Sequence, residues 1–201
     1  MHKVVPMTNG PIVWIDCEMT GLDIVNDALV EVACIVTDEQ LVPVDDGIDV
    51  IIAPPAESLT GMDDVVIKMH TESGLLAELA GGTTLADAQS QVLDYVRQHV
   101  PEPRKAPLAG SSVHMDRMFL SRDMPELIEH LHYRIIDVSS LKELVRRWYP
   151  RVYFAAAPKR GGHRALADIR DSIRELRYYR RTVLVPEPGP TSEEARAAAQ
   201  E

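Results

Sequence analysis

The strongest constraint on this chain is a short run near its start, IVWIDCE at 12–18, where two acids spaced by two interrupt an otherwise apolar, β-branched stretch. Side chains alternate across a strand, so Asp16 and Glu18 share one face while Cys17 takes the other. Two neighbouring carboxylates repel. Either the strand ends near Ile15 and the acids are solvated turn residues, or a divalent cation offsets their charge. On the run alone both readings stand.

Further runs at 28–37 (ALVEVACIVT) and 47–52 (GIDVII), separated by Gly-, Asp- and Pro-bearing turns, predict a meander of three strands. The period then changes. Leu85, Ala88, Val92, Val96 and Val100 recur at helical spacing, with Thr84 as N-cap and Pro101 as the stop. An apolar run at 106–109, a helical stretch over 115–131 and a strand at 133–138 follow. A Ser-x-x-Glu pattern at 140–143 opens a helix through Trp148 that Pro150 closes. After a loop at 158–162, Leu166, Ile169, Ile173 and Leu176 form the apolar stripe of a last helix. This alternation predicts the α/β class, a mixed β-sheet covered by helices. One domain spans 11–184, between an N-terminal extension at 1–10 and a mobile tail at 185–201 that is rich in proline and poor in bulky apolar residues.

Composition narrows the function classes. The 31 acidic and 21 basic residues give a net charge of −10, which disfavours a protein that tracks long nucleic acid by neutralising many phosphates. A small phosphate substrate held through metal ions suits it better. Cys17 and Cys34 lie in apolar stretches without metal-ligand spacing and read as reduced packing thiols. With no apolar run long enough to span a bilayer and no signal-peptide pattern, a soluble cytoplasmic protein without membrane contact is expected. Trp14 and Trp148 read as core aromatics, and His114, His130 and His132 as structural or solvated.

Three further groups carry possible chemistry. Asp116 follows Gly-Ser-Ser-Val-His-Met at a helix start, where the macrodipole alone would favour an acid. His163 and Asp168 form a His-x-x-x-x-Asp pair at the mouth of the last helix, where a loop histidine and a surface acid are the ordinary reading. Taken together, four carboxylates and a histidine on separate elements converge only if the sheet gathers them.

In that order and spacing the chain resembles the DEDD superfamily of 3′-to-5′ exonucleases, in its histidine-containing subclass. The segments WIDCEMTGLD (14–23), MHTESGL (69–75), LAGSSVHMDRMFL (108–120), HYRIIDVSSLKEL (132–144), RRWYPR (146–151) and HRALADI (163–169) narrow the likeness to the oligoribonuclease family, over 13–181. The resemblance implies a ribonuclease H-like exonuclease fold. It implies that Asp16, Glu18, Asp116 and Asp168 hold two divalent cations, Mg²⁺ or Mn²⁺, and that His163 is the general base, a role suited to imidazole. The implied substrates are short RNA oligonucleotides, down to dinucleotides, and the products nucleoside 5′-monophosphates.

The same resemblance places Leu22 and His70 near the bases and the scissile phosphate. It assigns Ser112, Arg134 and Ser139, with Tyr133 of a neighbouring subunit, to a cap on the 5′ phosphate. A homodimer is therefore implied, with 149–157 and 178–185 as candidate interface segments. Two positions depart from the family pattern. Gly110-Ser111-Ser112 replaces Gly-Asn-Ser, and Val65 stands where many members carry a base-stacking tryptophan. The competing readings are a superfamily exonuclease that trims longer RNA or DNA, and a nucleotide-binding module that kept the fold without the chemistry.

Overall fold

The computed structural model describes residues 10–158 and 162–200. The extension expected at 1–10 thus lies, but for Gly10, outside the described residues, as does most of the loop at 158–162. Five strands, β1 (Ile12–Met19), β2 (Leu29–Thr37), β3 (Ile48–Ile51), β4 (Pro107–Gly110) and β5 (His132–Asp137), form one sheet in the order β3-β2-β1-β4-β5. The first three pair antiparallel, as the meander required, and β4 and β5 add parallel to β1. Parallel neighbours need crossovers, and helices supply them.

The helices are α1 (Ala56–Thr60), α2 (Asp64–Glu72), α3 (Leu75–Glu78), α4 (Leu85–His99), α5 (His114–Asp123), α6 (Pro125–His130), α7 (Val138–Trp148), α8 (Pro150–Ala155), α9 (Ala165–Thr182) and α10 (Ser192–Ala198). The two-residue period of β1 and β2 divides the core. Val13, Ile15, Cys17, Val32, Cys34 and Val36 pack with α4, α5 and α6, whereas Trp14, Ala33 and Ile35 pack with α7 and α9. Fully burying one such large side chain contributes about 1.5–3 kcal/mol, so covering both faces makes β1 and β2 the rigid centre. Both cysteines are buried and unbridged.

Several boundaries differ from the sequence reading. Residues 53–83, for which no element was assigned, carry α1 to α3. The stretch expected over 115–131 is two helices, broken where Met124 leaves helical geometry ahead of Pro125. Asp137 rather than Ser140 caps α7, accepting the amide of Ser139. Pro150 does not merely close that helix but opens α8, because proline at N1 forfeits no helical hydrogen bond. Trp14 is a core residue whose indole donates to Thr37 Oγ1 at 3.1 Å. Trp148, expected to be buried, is 66% exposed, since α7 turns Val138, Leu141 and Val145 to the core instead. The segment 185–201 contains α10, opened by a capping box between Thr191 and Glu194, and none of its described residues is buried. Among the described residues no helix is long and apolar enough to cross a membrane.

Candidate active site

At the C-terminal half of β1, strand alternation turns Asp16 and Glu18 toward α9. Asp168, in the first turn of α9, meets them there, and one carboxylate oxygen from each of the three lies within 4.8 Å of the others. Asp116 arrives from the opposite layer. It stands in the first turn of α5, is buried, and accepts the amide of Cys17 through Oδ1 at 2.9 Å. The acids that the sequence placed on three elements are therefore joined around one strand.

Burial, reinforced by the neighbouring charges of Glu31, Asp168 and Asp116, pushes Glu18 up to about 8, against the opposing pull of Arg164. Burial also pushes Asp116 up to about 6, although the Cys17 amide favours its charged form. Crowded carboxylates in a poorly hydrated place are costly as a set of bare anions. They fit a divalent cation, which prefers hard oxygen ligands and offsets their repulsion. The donor set of the cluster is carboxylate oxygen alone, with no thiol or imidazole, as a hard divalent cation prefers.

His163 lies exposed just ahead of α9, in a left-handed backbone conformation with φ 59°. Its neighbour Arg164 donates from Nε to Glu31 Oε1 at 2.9 Å and from Nη1 to Glu78 Oε1 at 2.9 Å. Sequence reasoning missed Glu31. The available signal was that it is the single charged residue in ALVEVACIVT.

The loop after β1 holds Leu22 outward, 70% exposed. Asp27 organises that loop, accepting Thr20 Oγ1 and the Asp23 amide at 2.8 Å each, while Arg122 Nη2 holds the Asp27 carbonyl at 2.9 Å. A Cβ at Gly21 would stand 2.4 Å from the Asp27 carboxylate, so this turn requires glycine. His70 is fully buried on α2, and its Nε2 lies 2.8 Å from the Met19 carbonyl, fastening α2 to the end of β1. Its Nδ1 is buried without a hydrogen-bond partner. Val65, at the start of the same helix, is 78% exposed.

Beyond β4, Ser112 and Ser139 come together with their hydroxyls 3.1 Å apart. Asp137 arranges them, its Oδ1 accepting the amides of Ser112 and Ser139 at 2.9 Å each. Ser111, the departure from Gly-Asn-Ser, is not idle: its hydroxyl lies 2.8 Å from that of Ser172 and ties the β4–α5 turn to α9. Arg134 lies three residues before Asp137 on the same strand. It sits toward the start of β5, next to the Pro107–Leu108 pairing, with its guanidinium 5.6 Å from the Tyr133 ring centroid on the exposed sheet edge. Asp137 was also missed as a site residue, because the sequence reading placed it inside the strand at 133–138 and gave the opening of the next helix to Ser140.

Residues 13–176 match the RNase T exonuclease family. The chain is 64% identical to the oligoribonuclease of Streptomyces griseus over 191 residues, covering 95% of each protein. It is 56% identical to that of Mycobacterium bovis, covering 94% of this chain and 89% of the relative. Among solved structures, exonuclease I of Methylocaldum szegediense superposes with a TM-score of 0.62 at 18% identity, over 87% of this chain and 41% of that one. Escherichia coli exonuclease I in complex with a dA16 oligonucleotide gives 0.65 at 14%, over 87% and 41%. This chain spans about two fifths of those exonucleases, and the likeness to them is one of fold.

Proposed function

The chain belongs to the oligoribonuclease family of exonucleases, and from that premise we propose that it removes nucleoside 5′-monophosphates from the 3′ ends of the shortest RNAs, dinucleotides above all. That it is a 3′-to-5′ exoribonuclease acting on oligoribonucleotides follows from its relatives. The observation that carries the chemistry is the convergence of Asp16, Glu18 and Asp168, with Asp116 fixed to the same strand.

In this reading Asp16, Glu18, Asp116 and Asp168 hold two cations, Mg²⁺ or Mn²⁺. When bound, these supply positive charge to the phosphate oxygens and lower the pKa of water. The protein's own groups do the rest. His163, exposed just ahead of the helix that carries Asp168, takes the proton from the attacking water on an imidazole nitrogen. Leu22, held outward by the Asp27 turn, offers a base an apolar surface, and His70 holds α2 against the strand that carries the acids. Ser112 and Ser139 donate hydroxyls to the 5′ phosphate, with Arg134 completing the charge balance. A cap at that end selects for length without reading sequence, and a chain of net charge −10 suits a substrate too short to need a basic track.

The exposed edge of β5 with α7 and α8 presents Tyr133, Ile135, Leu144, Trp148, Tyr149 and Phe154 to solvent. An apolar face of this kind along an unpaired strand suits a second copy of the chain in the cytoplasm. That copy would bring its Tyr133 to the neighbouring cap.

The test compares release of 5′-mononucleotides from a 5′-phosphorylated diribonucleotide and from a 20-mer RNA, with Mn²⁺ or with EDTA, for wild type and Asp116→Ala. Metal-dependent cleavage that favours the dinucleotide and is lost in the variant supports the reading. Preference for the 20-mer would leave an exonuclease without a length-selective cap, and inertness toward both would leave a binding module.

A further inference from the structure

Glu31 is the one charged side chain of β2 and is fully buried. It lies directly opposite Glu18 in the β1–β2 ladder, an arrangement that like charges disfavour. Its surroundings show what it holds. Oε1 accepts from Arg164 Nε at 2.9 Å, and Oε2 accepts the amide of Ala165 at 3.0 Å. Ala165 opens α9, whose own N-cap residue, Arg164, provides no side-chain cap. A carboxylate from another layer therefore serves the helix N-terminus, where negative charge is favoured.

The clamp has a second jaw. Arg164 Nη1 and Nη2 reach the two carboxylate oxygens of Glu78 at 2.9 and 3.2 Å, and Nη2 lies 3.9 Å from Asp49 Oδ2. A forked guanidinium held by two carboxylates fixes the backbone beneath it more strictly than a single contact does. The preceding residue is His163, in a left-handed conformation that a residue other than glycine keeps only where its surroundings impose it.

We propose that Glu31 is a positioning residue of the hydrolysis: by capping α9 and gripping Arg164, it fixes the backbone at 163 and aims the His163 imidazole at the acidic cluster. This inference rests on the reading of His163 as general base. It assigns Glu31 a role separate from that of the acids beside it, acting through Arg164 rather than on the cations.

The variants are Glu31→Gln, Arg164→Lys and Glu78→Gln, each alone and combined with His163→Ala. Glu78 is partly exposed and Arg164→Lys keeps the charge, so these two remain informative if Glu31→Gln fails to fold. Turnover of a 5′-phosphorylated diribonucleotide is measured alongside Mn²⁺ affinity by calorimetry and the melting temperature. The expected result for Glu31→Gln and Arg164→Lys is a fall in kcat of tenfold or more, with KM within twofold of wild type and no matching fall in Mn²⁺ affinity. Glu78→Gln should show a smaller fall. In the His163→Ala background the same changes should cost nothing further, the sign of two residues acting as one unit. Unchanged kcat, losses that multiply with His163→Ala, or a fall in Mn²⁺ affinity matching the fall in kcat would each overturn the proposal. If His163→Ala alone keeps wild-type kcat, the general-base assignment fails and takes this inference with it, a result that the single variant distinguishes from failure of the clamp.

Discussion

Asp116 Oδ1 accepts the main-chain amide of Cys17 at 2.9 Å, which secures an acid from α5 to β1 at the one residue lying between Asp16 and Glu18. The contact separates two roles that a single substitution would confuse. Asp116→Asn retains an oxygen that can accept the amide but loses the charge, whereas Asp116→Ala loses both. Both variants should lower kcat by more than about a hundredfold, since removal of mere partners of metal ligands already costs 10–100-fold. The melting temperature of the metal-free protein should fall for Asp116→Ala and hold for Asp116→Asn, as calorimetric melts in EDTA would show.

Much of this arrangement could be read from residue order alone, for a physical reason. Strand alternation is a strict period, so Asp16 and Glu18 had to share a face, and the stripe Leu166, Ile169 and Ile173 had to orient α9. Contacts between layers have no such period. The Glu31–Arg164 clamp spans 133 residues and the Ser111–Ser172 contact 61, and neither leaves a local pattern. Trp148 was misread on its size alone; a large aromatic ring suits the edge of an interface as well as a core. Pro150 was misread because proline ends one helix and begins another by the same missing N–H.

Burial and neighbouring charge push Glu18 from an ordinary 4.5 up to about 8, and this fixes the sign of a pH effect. The folded protein holds a proton on Glu18 that the unfolded chain releases, so this contribution is complete below about pH 4.5 and is lost as the pH rises toward 8. In EDTA the melting temperature of wild type should fall across that window relative to Glu18→Gln, whose amide does not titrate. Mn²⁺ should reverse the trend, because binding requires the carboxylate. At pH 7, calorimetry in buffers of different ionisation enthalpy should find about one proton released per protein on metal binding.

Asp137 Oδ1 holds the amides of both Ser112 and Ser139. Removing it should loosen the two hydroxyls without touching the acids. Asp137→Ala is expected to raise KM for a 5′-phosphorylated diribonucleotide by about 10–100-fold, the range of one or two hydrogen bonds to a charged group. KM for the 5′-hydroxyl form should change little, because it has no phosphate to cap. Equal losses on both substrates would mean that Asp137 serves the fold instead.

The exposed face around Trp148 and Phe154 leads to a prediction about assembly. A charge placed at the centre of an apolar interface removes a major contact and adds a desolvation cost, worth about 2 kcal/mol or more, or about thirtyfold in Kd. Phe154→Glu, at a position already exposed, should therefore leave the melting curve of the separated chain intact and shift the solution mass from dimer to monomer at micromolar concentration. Dinucleotide turnover should fall in parallel, since each cap would lose the Tyr133 of its neighbour. A monomeric wild type with full activity, seen by light scattering and assay together, would refute the dimer.

Val65 offers the opposite kind of experiment, a gain. It lies at the start of α2, open to solvent and outside the buried core, so a larger side chain there displaces nothing. The same helix is fastened to the end of β1 by His70, which keeps position 65 in fixed relation to the strand bearing the acids. An aromatic ring on that platform would present a π-face to a nucleobase, an interaction worth about 1–3 kcal/mol per base. Val65→Trp should accordingly lower KM for a diribonucleotide by about five- to a hundredfold, with kcat unchanged or reduced if product release becomes limiting. Val65→Leu, which adds apolar area without a ring, should move KM far less. If the tryptophan variant binds dinucleotides no better than wild type in a direct titration, the base lies away from α2, and Leu22 is left as the apolar surface on which it rests.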